Sequence, residues 1–254
     1  MYKVLWAALG LTQPAVIACV GAGGKTSLIQ SLAAGASRRG WPVLITATTK
    51  MFYSQVAGYE LALTGDAATG MAQVTAALRQ GRPVGWFVRR EGEKVIGLSA
   101  AGVDCAAAAV PWANILIEAD GARRALLKAP SVREPVVPAC TTVTAGIVNL
   151  GAVGQPLAAA SIHRPELVAG IVNKPAGAIM SGSDIASLAV HRQGIFQYSR
   201  GVRVLLLSGA EDPDRRQAGR RIAGDNRLAG AGIDRVVLTA GCGCDMQPLE
   251  VFRL

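Results

Sequence analysis

An apolar run followed by a glycine-rich turn decides the fold of this chain: AVIACV at residues 15–20, then GAGGKTS at residues 21–27. The run is short and contains β-branched residues, which predicts a buried strand. Residues 25–39 have the apolar spacing of a helix. A glycine-rich turn that joins a strand to a helix and ends in Lys-Thr is typical of a loop that binds phosphate. The sequence therefore predicts a strand, a phosphate-binding loop and a helix, in that order.

The loop departs in one place from the usual pattern G-x-x-x-x-G-K-[ST], because Cys19 stands where the first glycine would be. Glycines let several backbone N–H groups converge on phosphate oxygens, and the start of a helix adds a favourable dipole. The residues that we expect around the phosphates are Gly21, Ala22, Gly23, Gly24, Lys25, Thr26 and Ser27. Lys25 would reach the β- and γ-phosphates, and Thr26 would bind a Mg²⁺ ion. The alternative is a flexible turn with an incidental lysine.

Two acids follow another apolar run, in ILIEADG at residues 115–121. Glu118 and Asp120 are two positions apart, so alternation along a strand places them on the same face. The carboxyl ends of parallel strands meet at one edge of a sheet, which brings these acids near the phosphate loop. We expect Asp120 to hold Mg²⁺ together with Thr26, and Glu118 to orient an attacking water. The alternative is a pair of acids that end a strand in solvent.

Further polar residues follow the predicted strands at the same edge of the sheet. The hydroxyls of TATTK at residues 46–50 would bond a phosphate or a metal-bound water. Arg123 would stabilise the charge that develops on a transferred phosphoryl group. The candidates for binding a substrate or an acceptor are Thr48, Thr49, Lys50, Arg124, Lys128, His163 and Arg164. The structural alternatives are a threonine-rich strand, a surface pair of arginines and a histidine at a helix start.

The net charge of +9 does not indicate a nucleic-acid partner. The arginines occur in small pairs, without a long basic run and with few interleaved aromatic residues. A site for anionic small molecules explains the charge more simply. No apolar run reaches the roughly 18 residues that a membrane span needs, and residues 1–13 lack a signal-peptide pattern. We expect a cytoplasmic protein with neither a membrane nor a nucleic-acid partner.

The cysteines number five, an odd count that does not suggest a disulfide framework in a chain of 254 residues. Cys242 and Cys244 form a C-x-C pair in GCGCD. Two soft thiolates at this spacing could take part in a metal or selenium site. They lack a second Cys or His pair at ligand spacing, which argues against a closed zinc site. The alternative is a pair of exposed, incidental thiols.

Strand and helix signals alternate along the chain, which predicts an α/β fold with a mainly parallel sheet flanked by helices. The predicted strands are 15–20, 41–49, 113–121, 141–148, 202–208 and 234–240, and the predicted helices are 25–39, 66–80, 181–191 and 213–229. Residues 84–88 and 94–99 read as a β-hairpin insertion. Without repeats or a linker, we expect a single domain over residues 1–254.

Four stretches together resemble the YqeC-type family, described as accessory proteins of selenium-dependent molybdenum hydroxylases. They are GAGGKTS, TATTKM, IEADGARRALLKAP with the following EPVVP, and SIHRPELVAG, within about residues 15 to 195. The resemblance implies a P-loop NTPase fold and a role in maturing a molybdenum enzyme. The chain departs from the family pattern in three places. Ser208-Gly209 replaces an Asn-Lys pair that would read guanine, Ala47 replaces a threonine, and Gln197 replaces a lysine.

Three hypotheses for the function follow. The first is a Mg²⁺-dependent protein that binds a nucleoside triphosphate, ATP or GTP, and hydrolyses it during cofactor maturation or selenium insertion in a molybdenum hydroxylase. The second is a kinase or nucleotidyl transferase that acts on a small anionic acceptor. The third is a non-catalytic metallochaperone that uses the nucleotide as a switch, with Cys242 and Cys244 in contact with the metal.

Overall fold

Strand β1 (Val16–Gly21) lies in the middle of the molecule, and its alternating side chains fill two separate cores. Ala18 and Val20 face one core, whereas Ile17 and Cys19 face the other, and all four are fully buried. A strand that is buried on both faces reads as a continuous apolar run, as AVIACV does. The computed structural model describes residues 3–254, and its remaining elements are built around this strand.

The helices are α1 (Lys3–Ala8), α2 (Lys25–Ser37), α3 (Ala67–Arg79), α4 (Ala100–Ala109), α5 (Pro165–Val172), α6 (Gly182–Val190), α7 (Pro213–Ala223) and α8 (Arg227–Gly230). The strands after β1 are β2 (Val43–Ala47), β3 (Lys50–Phe52), β4 (Glu60–Leu63), β5 (Val84–Phe87), β6 (Arg89–Glu91), β7 (Lys94–Ile96), β8 (Asn114–Glu118), β9 (Leu127–Lys128), β10 (Val143–Asn149), β11 (Ile162–His163), β12 (Val202–Ser208), β13 (Ile233–Ala240) and β14 (Gln247–Arg253).

The main sheet has nine strands in the order β14-β13-β12-β10-β1-β8-β2-β5-β4. Every neighbouring pair is parallel except β13 and β14, which are antiparallel. Helices α1 and α2 cover one face, and the longer helices from α3 to α7 cover the other. The protein thus has the predicted α/β fold with a mainly parallel sheet flanked by helices, and β1 and the acidic strand β8 lie side by side.

The predicted insertion is present, but one of its strands was assigned wrongly. Strand β7 pairs with Arg89–Glu91, the segment read as the turn of the hairpin, and β3 adds a third antiparallel strand. Residues 84–87 instead lie between β2 and β4 in the main sheet. All four are buried, so they carry no alternation that would separate a sheet core from a hairpin.

Two other predictions need correction or fall partly outside the structure, and one strand was missed. The helix expected over residues 213–229 is two helices, because the chain turns at Gly224. The antiparallel edge strand β14 was not predicted. The stretch 1–13 begins with two residues outside the described range, and most of its remainder forms α1.

Within residues 3–254, no helix is both long and apolar enough to cross a bilayer.

Candidate functional site

The loop between β1 and α2 depends on glycine at three positions. Gly21, Gly23 and Gly24 have φ angles of 90°, 80° and 152°, which L side chains rarely adopt. A Cβ atom on Gly21 would lie 2.3 Å from the carbonyl oxygen of Ile147, and one on Gly23 would lie 2.5 Å from Cβ of Asn149. Helix α2 begins directly after Gly24, so the free N–H groups of its first turn face the loop. This is the backbone arrangement that binds phosphate at a helix N-terminus.

Lys25 is buried and paired beneath the loop. Its Nζ donates a hydrogen bond of 2.6 Å to the carbonyl oxygen of Gly21 and lies 3.0 Å from Oδ1 of Asp120. Oδ2 of Asp120 in turn accepts the N–H of Gly21 at 3.0 Å. Burial disfavours the charged form of Lys25, but the carboxylates of Asp120 and Glu118 outweigh it and raise its pKa. The lysine is therefore a charged group at the base of the phosphate loop.

The ion pair between Lys25 and Asp120 starts a series of ion pairs that ends at Arg164. Asp120 also pairs with Lys128 at 3.0 Å, Lys128 with Glu134 at 2.9 Å, and Glu134 with Arg164 at 2.6 Å. We call these five residues the charge chain. Lys128 is only 1% exposed, so it lies beneath the cleft instead of lining it as an acceptor-binding residue would. Asp120 is equally buried and engaged by two lysines, which differs from the metal-holding position predicted for it.

Thr26 contacts Glu118 instead of Asp120. The Thr26 hydroxyl donates to Oε2 of Glu118 at 3.3 Å and accepts a hydrogen bond of 2.7 Å from Nε2 of Gln55. Burial raises the pKa of Glu118, against the opposing effect of Lys25. Gln55 lies in the turn after β3, and its sequence context gave no signal of a role at the site.

The donor set around Thr26 suits a hard divalent cation. The Thr26 hydroxyl and the Glu118 carboxylate are oxygen donors, which Mg²⁺ prefers, together with phosphate oxygens and water. The hydroxyl of Thr49 lines the same cleft, is buried and has no hydrogen-bond partner in the described part of the chain. A buried orphan hydroxyl next to two oxygen donors fits a site that receives a polar ligand.

A single cleft of about 1230 Å³ brings together many of the predicted residues. Those that line it are Gly23, Gly24, Lys25, Thr26, Ser27, Thr49, Lys50, Glu118, Arg123, Arg124, His163 and Arg164. Thr48 does not, since its hydroxyl is bound to the carbonyl oxygen of Val136 at 2.7 Å. Lys50 lies on the rim, where it pairs with Glu91 at 2.9 Å. Gly21 and Ala22 lie beneath the lining residues.

Arg123, Arg124, His163 and Arg164 line the cleft and lie outside the phosphate loop, and we call this part of the lining the far wall. The Arg124 guanidinium lies 5.1 Å from the centre of the Phe52 ring, which connects this wall to the insertion. Arg164 directly precedes α5, which has Pro165 in its first turn. Burial and the neighbouring cations Arg164, Lys128 and Arg123 lower the pKa of His163.

The segment at Ser208-Gly209, where the family pattern has an Asn-Lys pair, is joined to other parts of the site by its contacts. The hydroxyl of Ser208 donates to the carbonyl oxygen of Gly23, so the end of β12 is joined to the phosphate loop. Asp212 is the N-cap of α7 and accepts the N–H of Arg215 at 2.9 Å. Asn149, at the end of β10, was missed from the sequence; its amide oxygen accepts the N–H of Gly151 at 2.8 Å.

Cys242 and Cys244 are exposed thiols on a turn that packs against α2. The Ser27 hydroxyl accepts the N–H of Gly243 at 3.0 Å, and the Ser31 hydroxyl donates to the carbonyl oxygen of Met246 at 2.7 Å. Within residues 3–254, no three His, Cys, Asp or Glu side chains are grouped so that they could hold a metal ion. The C-x-C pair would need ligands from elsewhere to form a metal site.

Comparisons with known proteins agree with the resemblance. YqeC of Escherichia coli (strain K12) is 31% identical over 188 residues, which cover 73% of this chain and 71% of that protein. The structure of chloroplast FtsY from Physcomitrella patens is similar over 98% of this chain and 69% of its own, with a TM-score of 0.46 and 17% identity. The family model described as YqeC protein matches residues 17–166. The family model and the Escherichia coli relative show that the chain belongs to the YqeC family.

Proposed function

We propose that the protein is a Mg²⁺-dependent nucleotide-binding protein that hydrolyses or transfers the γ-phosphoryl group of a nucleoside triphosphate. The observation that carries this proposal is the loop from Gly21 to Thr26, in which glycine backbone, a helix N-terminus and a buried lysine converge. Lys25 would turn from Asp120 to the phosphates, since both partners are anionic oxygens. Charge-assisted bonds of this kind are about twice as strong as neutral ones.

The roles of the two acids change in this proposal. Glu118 contacts Thr26, so we assign these two residues to the metal, and Asp120 to the positioning of Lys25. A bound Mg²⁺ would neutralise charge on the phosphate oxygens. Gln55, whose amide is 2.7 Å from the Thr26 hydroxyl, would order the same oxygen donors. The Thr49 hydroxyl would supply a further polar contact in the cleft.

The nucleotide cycle would serve the maturation of a molybdenum hydroxylase, by its cofactor or by selenium insertion. This part of the proposal rests on the family resemblance alone. Its test is the activity of a molybdenum hydroxylase from cells that produce Lys25→Ala in place of the natural chain. A fully active hydroxylase in those cells would contradict the maturation role without bearing on nucleotide binding.

The nucleotide site is tested by calorimetric titration of the protein with Mg·ATP and Mg·GTP. Lys25→Ala should weaken the binding of the preferred nucleotide by about tenfold or more, because a charged hydrogen bond contributes about 1.5–3 kcal/mol. Lys174→Ala is the matched control, since Lys174 also pairs with an acid but lies outside the cleft. Unchanged affinity in a folded Lys25→Ala protein would overturn the proposal.

The metal assignment has its own test. Thr26→Ala and Glu118→Gln should bind nucleotide in EDTA as the natural chain does, and should gain less from added Mg²⁺. Phosphate release in the presence and absence of Mg²⁺ then measures turnover. If Asp120→Asn removes the Mg²⁺ dependence and Glu118→Gln keeps it, the assignment made from the sequence is right and ours is wrong.

A further inference from the structure

Three arginines on the far wall of the cleft have backbone conformations that are unusual for them. The φ angles of Arg123, Arg124 and Arg164 are 47°, 61° and 59°, in the left-handed region. Such a conformation costs a residue other than glycine on the order of 1 kcal/mol or more, and it tends to occur at ligand-binding sites. Two separate loops bear this strain and bring cationic side chains to one wall.

Two of the three arginines, Arg123 and Arg124, are not paired with an acid in the described part of the chain. Glu134 is engaged by Lys128 and Arg164, and Asp120 by Lys25 and Lys128. Although burial alone would raise its pKa, hydrogen bonds from Arg164 and Lys128 lower the pKa of Glu134 to about 2. The carboxylates of Glu134 and Asp120 are therefore both paired with cations of the charge chain.

The wall and the phosphate loop come from different segments of the chain. No ion pair among the described residues joins Arg123, Arg124 or Arg164 to residues 21–27, and Arg164 is linked to Lys25 only through Glu134, Lys128 and Asp120. The cleft of about 1230 Å³ also exceeds the roughly 300–1,000 Å³ that is usual for a pocket holding one small ligand. One cleft is therefore lined by the phosphate loop and by a second group of cations from other loops.

We infer that Arg123, Arg124 and Arg164 form a second oxyanion site, which binds the phosphate group of a small molecule other than the nucleotide. Guanidinium groups from two loops can surround a tetrahedral dianion, and arginine matches phosphate geometry with paired N–H donors. The inference rests on the proposed function in that the second ligand shares the cleft with the nucleotide. In this proposal the role of Arg123 changes from stabilising a transferred group to holding this phosphate.

His163 provides a direct reporter for the test. The protein contains two histidines, and His191 is not among the residues that line the cleft. The groups acting on His163 are the cations Arg164, Lys128 and Arg123 and the anion Glu134. A bound dianion would favour the imidazolium form, so the pH midpoint of the His163 ring signals should move upward. The His191 midpoint should stay where it is.

The experiment is a proton NMR titration of the full-length protein with inorganic phosphate and, separately, with glycerol 3-phosphate. Mg·ADP is present at saturation, and its binding is measured in parallel by calorimetry. A His163 shift with both probes indicates a site for a phosphate ester. A shift with inorganic phosphate alone indicates a site for free phosphate. In either case the second oxyanion site is supported when Lys25→Ala keeps the response.

The variants separate this site from the phosphate loop. Lys25→Ala should keep the His163 response to phosphate, even where it loses nucleotide binding. Arg123→Gly should weaken the apparent affinity for phosphate by about tenfold or more, with Tm unchanged or raised because glycine relieves the positive φ. Arg79→Ala, which removes an exposed arginine outside the cleft, is the matched control for charge.

Two results would overturn the inference. One is a His163 midpoint that neither probe moves in a protein that binds Mg·ADP; the proposed function would then stand without it. The other is a His163 response that vanishes in Lys25→Ala or survives unchanged in Arg123→Gly, since the phosphate would then bind at the loop. Loss of nucleotide binding in the natural chain would instead count against the proposed function.

Discussion

At the scale of single residues, the phosphate loop requires glycine for two reasons: its backbone angles are unfavourable for other residues, and a side chain would lack space. Gly23 and Gly40 have φ angles of 80° and 66°, so an alanine is strained at either position. A Cβ at Gly23 would meet Asn149 and the carbonyl oxygen of Leu126, whereas one at Gly40 would meet nothing within 4 Å. The difference between the two positions therefore isolates the effect of crowding.

We expect Gly40→Ala to lower the free energy of unfolding by about 1 kcal/mol, and Gly23→Ala by roughly 2–4 kcal/mol, since strain and displacement of neighbours add. Urea unfolding of the two variants measures this. Gly23→Ala should also weaken nucleotide binding, because the loop must shift. Equal losses of stability in the two variants would show that crowding at the loop is unimportant.

Glu134 makes stability depend on pH. Its folded-state pKa of about 2 lies below the ordinary 4.5, so its pairing stabilises the fold above about pH 4.5. This contribution is lost as the pH falls toward 2 and amounts to at most about 3 kcal/mol. Glu134→Gln should be less stable at pH 7 and should lose less stability than the natural chain between pH 4.5 and 3. Glu211→Gln, an exposed acid, serves as the control in the same urea titrations.

At the scale of secondary-structure elements, the sequence predicted best those elements whose ends carry a local signal. The strand at 202–208 was confirmed with the same bounds. The helix expected over residues 181–191 was confirmed as α6, which begins with a capping box of Ser181 and Asp184. Strand β5 was misassigned because its partners β2 and β4 are distant in sequence, and burial on both faces removes the pattern that would identify them.

Helix α2 starts at the phosphate loop and also binds the turn at residues 242–246. Ser27 and Ser31, one turn apart, hold the turn at residues 242–246 against the helix. Ser31→Ala leaves the buried carbonyl oxygen of Met246 without its 2.7 Å donor, so we expect a loss of about 1–2 kcal/mol. Ser37→Ala, at an exposed position of the same helix, should change stability by less than about 0.5 kcal/mol.

Thermal unfolding of both serine variants checks this prediction. If Ser31→Ala is as stable as Ser37→Ala, water replaces the lost donor and the turn does not depend on α2.

At the scale of the whole molecule, the sequence predicted which residues meet at the site better than it predicted their partners. The loop, both acids and the arginines after β8 were found because motifs and strand ends mark the carboxyl edge of a parallel sheet. The charge chain was not found, because Glu134 contacts Lys128 and also Arg164, which lies 30 residues further along the sequence. No local pattern encodes such a pairing, nor the approach of Gln55 to Thr26.

The burial of Cys19 in the strand that bears the phosphate loop has a practical consequence. Burial raises the pKa of this thiol, so it can be alkylated only when β1 opens toward solvent. In a protein whose other four cysteines are replaced by serine, the alkylation rate of Cys19 therefore measures how often the centre of the sheet opens. A nucleotide that binds only the closed form at about a hundred times its Kd should slow the reaction about a hundredfold. The Cys19 thiol can therefore report the affinity of any ligand of the loop. It stands at a position where most phosphate loops have glycine.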